Sequence, residues 1–180
     1  MRALVAVAVL VATAWPTAQL AQAAIAPPDA PPEIRVEAGN KPFLLAHAVG
    51  VQMYTCRPTA GGYAWSFAGP RANLYDERGK LVATHSAGPT WAARDGSKVV
   101  GKLVRPAPVT DQTAIPWLLL SAASTSAGPD GARLAGTTFI QRLNTTGGVQ
   151  PPAPDCNAAT ANTTSEIPYT ADYAFWKETK

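Results

Sequence analysis

The sequence predicts an all-β domain, either an antiparallel sandwich or a closed barrel of about seven to nine short strands, tied by a single disulfide. Three observations point that way. Period-two alternation recurs along the chain, most cleanly where Ile167, Tyr169, Ala171, Tyr173 and Phe175 face away from Pro168, Thr170, Asp172, Ala174 and Trp176. Glycine (14) and proline (17) punctuate the chain with turn signals. No stretch carries an amphipathic-helix repeat of convincing length. A chain of 180 residues is most simply one domain.

The N-terminus reads as a targeting segment. Arg2 supplies a positive start, Ala3–Trp15 is small or apolar except for Thr13, and Ala21-Gln22-Ala23-Ala24 offers the small residues a signal peptidase reads. Residues 1–23 are therefore expected to be a signal peptide cut after Ala23, with Ala24 as the alternative, and the chain to be exported, secreted or periplasmic. The apolar run falls short of the roughly 20 residues that cross a bilayer, so no membrane span is expected in the mature chain. Residues 24–32 hold four prolines within IAPPDAPP and read as an extended leader that spaces the single β domain, 33–180, from the cleavage site.

Cys56 and Cys156 are an even pair, which in an exported protein reads as a disulfide; a free thiol or metal ligation is the alternative, although no CxxC or Cys/His cluster is present. The formal charge of +3 has no Lys/Arg run behind it, so the footprint of a nucleic-acid partner is missing. No motif calls for a cofactor.

Taken in order, Phe43–Ala48 is ambiguous between helix and strand. Val49–Cys56 is a strand, with Val51, Met53 and Thr55 alternating with Gln52, Tyr54 and Cys56. Arg57–Gly62 is a turn by composition. Tyr63–Ala68 puts Tyr63, Trp65 and Phe67 on one face, and Ala72–Asp76 is a further strand ending in a hairpin connection. Leu81–Val100 is the stretch of most interest. Its first turn carries His85, Gly88 and Pro89 and leads to Trp91, and Asp95-Gly96-Ser97 forms the second. Val99–Val104 alternates again and Arg105–Thr113 is a loop. Ala114–Ala123 is a continuous apolar run of strand length, as expected of a strand buried on both faces, with a buried helix as the alternative. Ser124–Gly136 is a loop, Thr137–Leu143 a strand and Asn144–Gly148 a turn. An irregular Val149–Asp155 brings Cys156 back towards Cys56, and a polar loop, Asn157–Ser165, precedes the last strand. Trp65, Trp91 and Trp117 are evenly spaced, but their flanks YAWSF, GPTWAA and IPWLL do not match, so the spacing is not a repeat.

Several segments together resemble the domain of unknown function 3455 family of exported proteins. They are THSAGPTWAARDGS at Thr84–Ser97, AIPWLLL at Ala114–Leu120, FIQRLNTTGG at Phe139–Gly148 and IPYTADYAFW at Ile167–Trp176, with the cysteines in YTC and PAPDC. Ser86 departs from the pattern, which places an aromatic residue there. The resemblance implies a shared fold and export and carries no activity with it. Some fungal relatives bear a dehydrogenase label, yet this chain has neither GxGxxG after a strand nor βαβ alternation.

His85, with Asp76, Asp95 and Ser97 nearby in sequence, has the chemistry of a general base or metal ligand; the plainer reading is a ring bonded to backbone at a strand end. Ser86 makes a poor nucleophile for it, because adjacent strand residues point to opposite faces. Asp95-Gly96-Ser97 is a turn whose functional version, calcium binding, lacks the ligand density of a calcium loop. Trp91 stands where a ring could stack on a sugar or other flat ligand, and Arg142 and Asn144 flank a turn and could add polar contacts. Asn144-Thr145-Thr146 and Asn162-Thr163-Thr164 match the glycan-acceptor pattern, which matters only in a eukaryotic host. The expected function is a non-enzymatic binding or surface-associated module for a glycan or small molecule, with His85, Trp91, Asp95, Arg142 and Asn144 facing the ligand. A secreted hydrolase or metal-dependent enzyme using His85 and Asp95 is the alternative, and a purely structural envelope protein is a third.

Overall fold

The computed structural model describes residues 24–108 and 111–179; the expected signal segment lies outside the described residues. Eight antiparallel strands form one sheet that closes into a ring: β1 Asn40–Thr59, β2 Gly62–Tyr75, β3 Leu81–Ser86, β4 Thr90–Ala93, β5 Lys98–Pro106, β6 Leu118–Ser126, β7 Phe139–Gly147 and β8 Thr164–Glu178. Each strand pairs with its neighbours in sequence, and β1 closes the ring by pairing with both β2 and β8. Of the two expected architectures, the closed one is found. Among the described residues no helix is long and apolar enough to cross a membrane.

Several boundaries differ from the sequence expectation. The ambiguous Phe43–Ala48 belongs to β1, which continues through Arg57 and Pro58 to a tight turn at Ala60-Gly61. The two strands expected over 63–76 are one, β2, interrupted only by a bulge where Met53 opposes Gly69 and Tyr54 opposes Phe67, leaving Ala68 unpaired. An extra residue of this kind bends the strand and helps the sheet curl. Gly50 serves the same end: a Cβ there would lie 2.2 Å from the Arg71 carbonyl oxygen, so the backbones of β1 and β2 approach where only glycine fits. β6 begins at Leu118, later than expected, because Ile115 and Pro116 bond elsewhere: the Ile115 N–H reaches the Gly147 carbonyl at 2.9 Å, and the Pro116 carbonyl accepts from Arg142. The expected turn at Asn144 is an irregularity inside β7, with Asn144 at φ 49°.

The interior is filled by unequal partners. Strands β1–β4 contribute Ala46, Ala48, Ala72, Ala83 and Ala93, while β4 and β8 supply Trp91, Tyr169, Tyr173 and Phe175. Small residues facing large ones let rings cross a narrow lumen without overpacking. Gly101 continues this logic, since a Cβ there would lie 3.0 Å from the Trp91 ring.

A second apolar cluster lies outside the ring. Leu119 and Leu143 point outward and are covered by Ala30 of the Pro-rich segment and by Ile34 just after it, with Ala107 alongside. Gln141 anchors that segment, donating to the Ile34 carbonyl at 2.7 Å while accepting the Trp176 indole N–H at 2.9 Å. The Pro-rich segment, read from sequence as an extended leader, packs against the ring through Ala30 at its C-terminal end. Its docking explains why the run Leu118–Leu120 is apolar on both faces.

Cys56 and Cys156 are bonded, with Cα atoms 5.3 Å apart. Around them the Cys56 N–H donates to the Thr163 carbonyl, the Asn162 N–H to the Cys56 carbonyl, and the Trp65 indole to the Pro152 carbonyl. The bond spans 100 positions in sequence, and the chain-entropy argument assigns such a closure about 4.7 kcal/mol. Replacing both cysteines by serine should therefore lower the unfolding free energy in urea by up to about 4–5 kcal/mol. A loss below about 1 kcal/mol would show that the surrounding hydrogen bonds hold the segment unaided.

Candidate ligand-binding site

A cavity of about 370 Å³ opens into one end of the ring, within the size range of small-molecule sites. Its lips are the β2 bulge (Phe67–Pro70) and the β3–β4 turn with Gly88 and Pro89. Gly69 holds these lips together, since a Cβ there would lie 2.6 Å from that of Ala87. Deeper in, the walls include Gln52, His85, Trp91, Arg142 and Tyr173. Of the five residues singled out from sequence, His85, Trp91 and Arg142 meet here; Asp95 and Asn144 do not.

His85 is in strand β3 rather than in the turn, and only 4% exposed. It faces Trp91 across the β3–β4 pair, and the rings stack with centroids 4.2 Å apart and planes within 5°. Tyr173 meets both rings edge-on, and Phe175 meets Trp91 in the same way. Such edge contacts place positive ring edges against negative faces. Trp91 is consequently a core ring, 1% exposed, and the expectation that it offers a face to a sugar is corrected. What it leaves without a partner is its indole N–H.

His85 Nδ1 lies 3.0 Å from the Thr90 carbonyl, which fixes the proton on that nitrogen in the neutral ring. Nε2 has no protein partner among the described residues and is left as an acceptor. Burial pushes the imidazole pKa down to about 4, and the Arg142 charge pushes the same way against the Thr90 bond. His85 is therefore neutral at ordinary pH.

Arg142 lies on β7 between Leu118 and Tyr173. Its Nε–H and one Nη2–H both donate to the Pro116 carbonyl, at 3.0 and 2.8 Å. Its charge is felt by Tyr54, Tyr169 and Tyr173 as well as His85, so the lumen is electropositive. Burial raises the pKa of all three tyrosines and keeps them as phenols.

Asp95 sits beyond the far end of the β3–β4 pair. Ala93 opposes Ala83, so Asp95 is about four strand positions, roughly 13 Å, from His85. Its carboxylate accepts from Ser97 N–H and Oγ–H at 2.9 and 2.5 Å and from Arg133 N–H at 2.8 Å. The Ser97 hydroxyl bond, then those N–H donors, hold its pKa below the ordinary value. It organises a turn, and the His85–Asp95 reacting pair of the alternative enzyme reading is not assembled. Asn144 lies outside the ring, donating to Asp172 Oδ2 at 2.8 Å while His47 Nδ1 meets Oδ1 at 2.8 Å.

Sequence reasoning missed Gln52 and Tyr173. Both are buried, and Gln52 Nε2 has no hydrogen-bond partner, nor does Trp91 Nε1; the Tyr173 hydroxyl lies beside that of Tyr169 and beside Arg142, but none of these contacts has hydrogen-bond geometry. The available signal was a polar tip on an inward-facing strand position. Tyr173 lay on the face already read as coherent.

Residues 37–177 match the family described as protein of unknown function, DUF3455. The chain belongs to that family. No curated protein and no solved structure matches it. The cavity walls of this DUF3455 member, Gln52 to Tyr173, fall within the matched span.

The depressed His85 pKa makes a prediction for the folded protein. Between about 4 and 6.5 the unfolded chain binds the proton and the folded one does not, so stability is full above that window and falls as pH drops through it. The fall should total roughly 3 kcal/mol. Urea unfolding across the window should show this slope, and His85→Phe should flatten it. A flat wild-type profile would mean that the ring is reached by water.

Proposed function

We propose that this protein is a non-enzymatic binding module that takes a small molecule into the lumen of its ring, past the lips formed by the β2 bulge and the β3–β4 turn. The observation that carries the reading is the convergence of orphaned polar groups on one cavity. Gln52 Nε2, Trp91 Nε1 and the Tyr173 hydroxyl are buried without partners, and all three residues line it. Leaving such a group unsatisfied costs about 1–3 kcal/mol, a penalty that a ligand with matching acceptors offsets. The walls are otherwise apolar, with a few converging polar groups, as in small-molecule sites generally. Action outside the cytoplasm belongs to the same proposal. It is supported by the signal-like first 23 residues and by a disulfide suited to oxidising surroundings.

Two substitutions separate a ligand site from a structural one. Tyr173→Phe and Gln52→Leu each remove an orphaned group, so each should raise the melting temperature of the ligand-free protein by a few degrees. Both should weaken, by about tenfold, any ligand found by tryptophan quenching in a screen of small acids, alcohols and sugars. If both variants instead melt lower and bind unchanged, these groups hold the fold together and the reading fails.

A further inference from the structure

Resting on that reading, we infer that the ligand is a small amphipathic carboxylate, its head group on Arg142 and its apolar body against the mouth. Three features lead there. The first is the uncompensated charge. No carboxylate lies within ion-pairing reach of Arg142 among the described residues, where the two carboxylates in such pairs, Asp172 and Glu166, are taken by His47 and Arg71. No acidic residue lines the cavity. Two of the five guanidinium N–H groups go to the Pro116 carbonyl and the Tyr173 hydroxyl lies beside the group, so N–H donors remain for a ligand. A half-buried cation beside fully buried rings gains most from an anion, and the planar fork of a guanidinium matches a carboxylate in two parallel hydrogen bonds.

The second feature is the sign of the orphaned groups. An indole N–H can only donate, an amide nitrogen donates, and a phenol can donate. A ligand presenting acceptors satisfies these three donors, and the one acceptor beside them, His85 Nε2, is met by a water or a hydroxyl; an ammonium could reach only that acceptor and meets the Arg142 charge head-on. One guanidinium among neutral donors suits a monoanion better than a doubly charged phosphate.

The third is the entrance. Phe67 and Leu103 are 55% and 54% exposed, unusual for large apolar side chains, and both line the cavity. Leu118 and Leu120 continue the apolar wall inward towards Arg142. A ligand with a charged head and an apolar body would cover the one while reaching the other.

The experiment compares three compounds of equal chain length, decanoate, 1-decanol and decylamine, by titration calorimetry and tryptophan quenching on the purified protein at neutral pH. Decanoate should bind about tenfold or more tighter than 1-decanol, with decylamine weakest. In Arg142→Met the preference for decanoate over 1-decanol should disappear while 1-decanol binding is kept, and Arg142→Lys should retain part of it. The wild-type comparison needs no variant to fold. Equal binding of decanoate and 1-decanol, or a preference for the amine, overturns the carboxylate assignment and leaves the binding module standing. Failure of all three to bind overturns the amphipathic carboxylate, whereas the binding module itself falls only if the wider screen of acids, alcohols and sugars is also empty.

Discussion

Pairing of β1 with β2 along one edge and β8 along the other is the constraint on which the rest of the molecule depends. Without it the sheet would have two free edges and an inner face open to water. With it, each inward side chain is committed to a lumen that solvent reaches chiefly at the ends. The chemistry of the cavity follows. His85 is neutral because its ring lies in that lumen, and the tyrosines stay phenolic for the same reason. Arg142 acts on groups from three other strands because little water screens it.

Two attachments secure the ring from outside, and neither supplies a wall of the cavity. The disulfide and the bonds around it tie the end of β1 to the irregular segment before β8. The docked Pro-rich segment covers Leu119 and Leu143 on the opposite face of their strands from Leu120 and Arg142. The division leaves the inner face free to carry polar groups that a core needed for stability alone would exclude.

Much of this was legible in the residues. The strand count, the disulfide and the inward face of β8 follow from period-two alternation and cysteine arithmetic. His85, Trp91 and Arg142 were visible as chemistry-bearing side chains in a β scaffold. Their roles were not, because strand pairing across the ring decides which residues meet, and local sequence does not encode it. Trp91 follows a Gly-Pro turn and so looked exposed, but its pairing with His85 turns it inward. In β1, alternation alone left open which face was buried. The face with Gln52 and Tyr54 is the inner one, and Val49 on the other is half exposed. Asp95 was near His85 in sequence and is remote from it in space, since a hairpin sends residues past its far end away from those at its tip.

The case for a ligand site is strengthened by comparisons within the molecule. Gln141 is a buried glutamine with both ends of its amide satisfied, by Ile34 and Trp176. Tyr54 is a buried tyrosine whose hydroxyl donates to the Gly148 carbonyl at 2.8 Å. Trp176 and Trp65 both find acceptors for their indole N–H groups. Each residue type orphaned in or beside the cavity therefore has a counterpart elsewhere in this chain that is fully paired. Polar groups kept to specify a fold need partners to do so, because an unpaired one favours no single arrangement over another. Gln52, Trp91 and Tyr173 have no such partners, yet they line one cavity with an arginine that has no counter-charge. On the proposed reading, the partner that would complete this set comes from outside the chain.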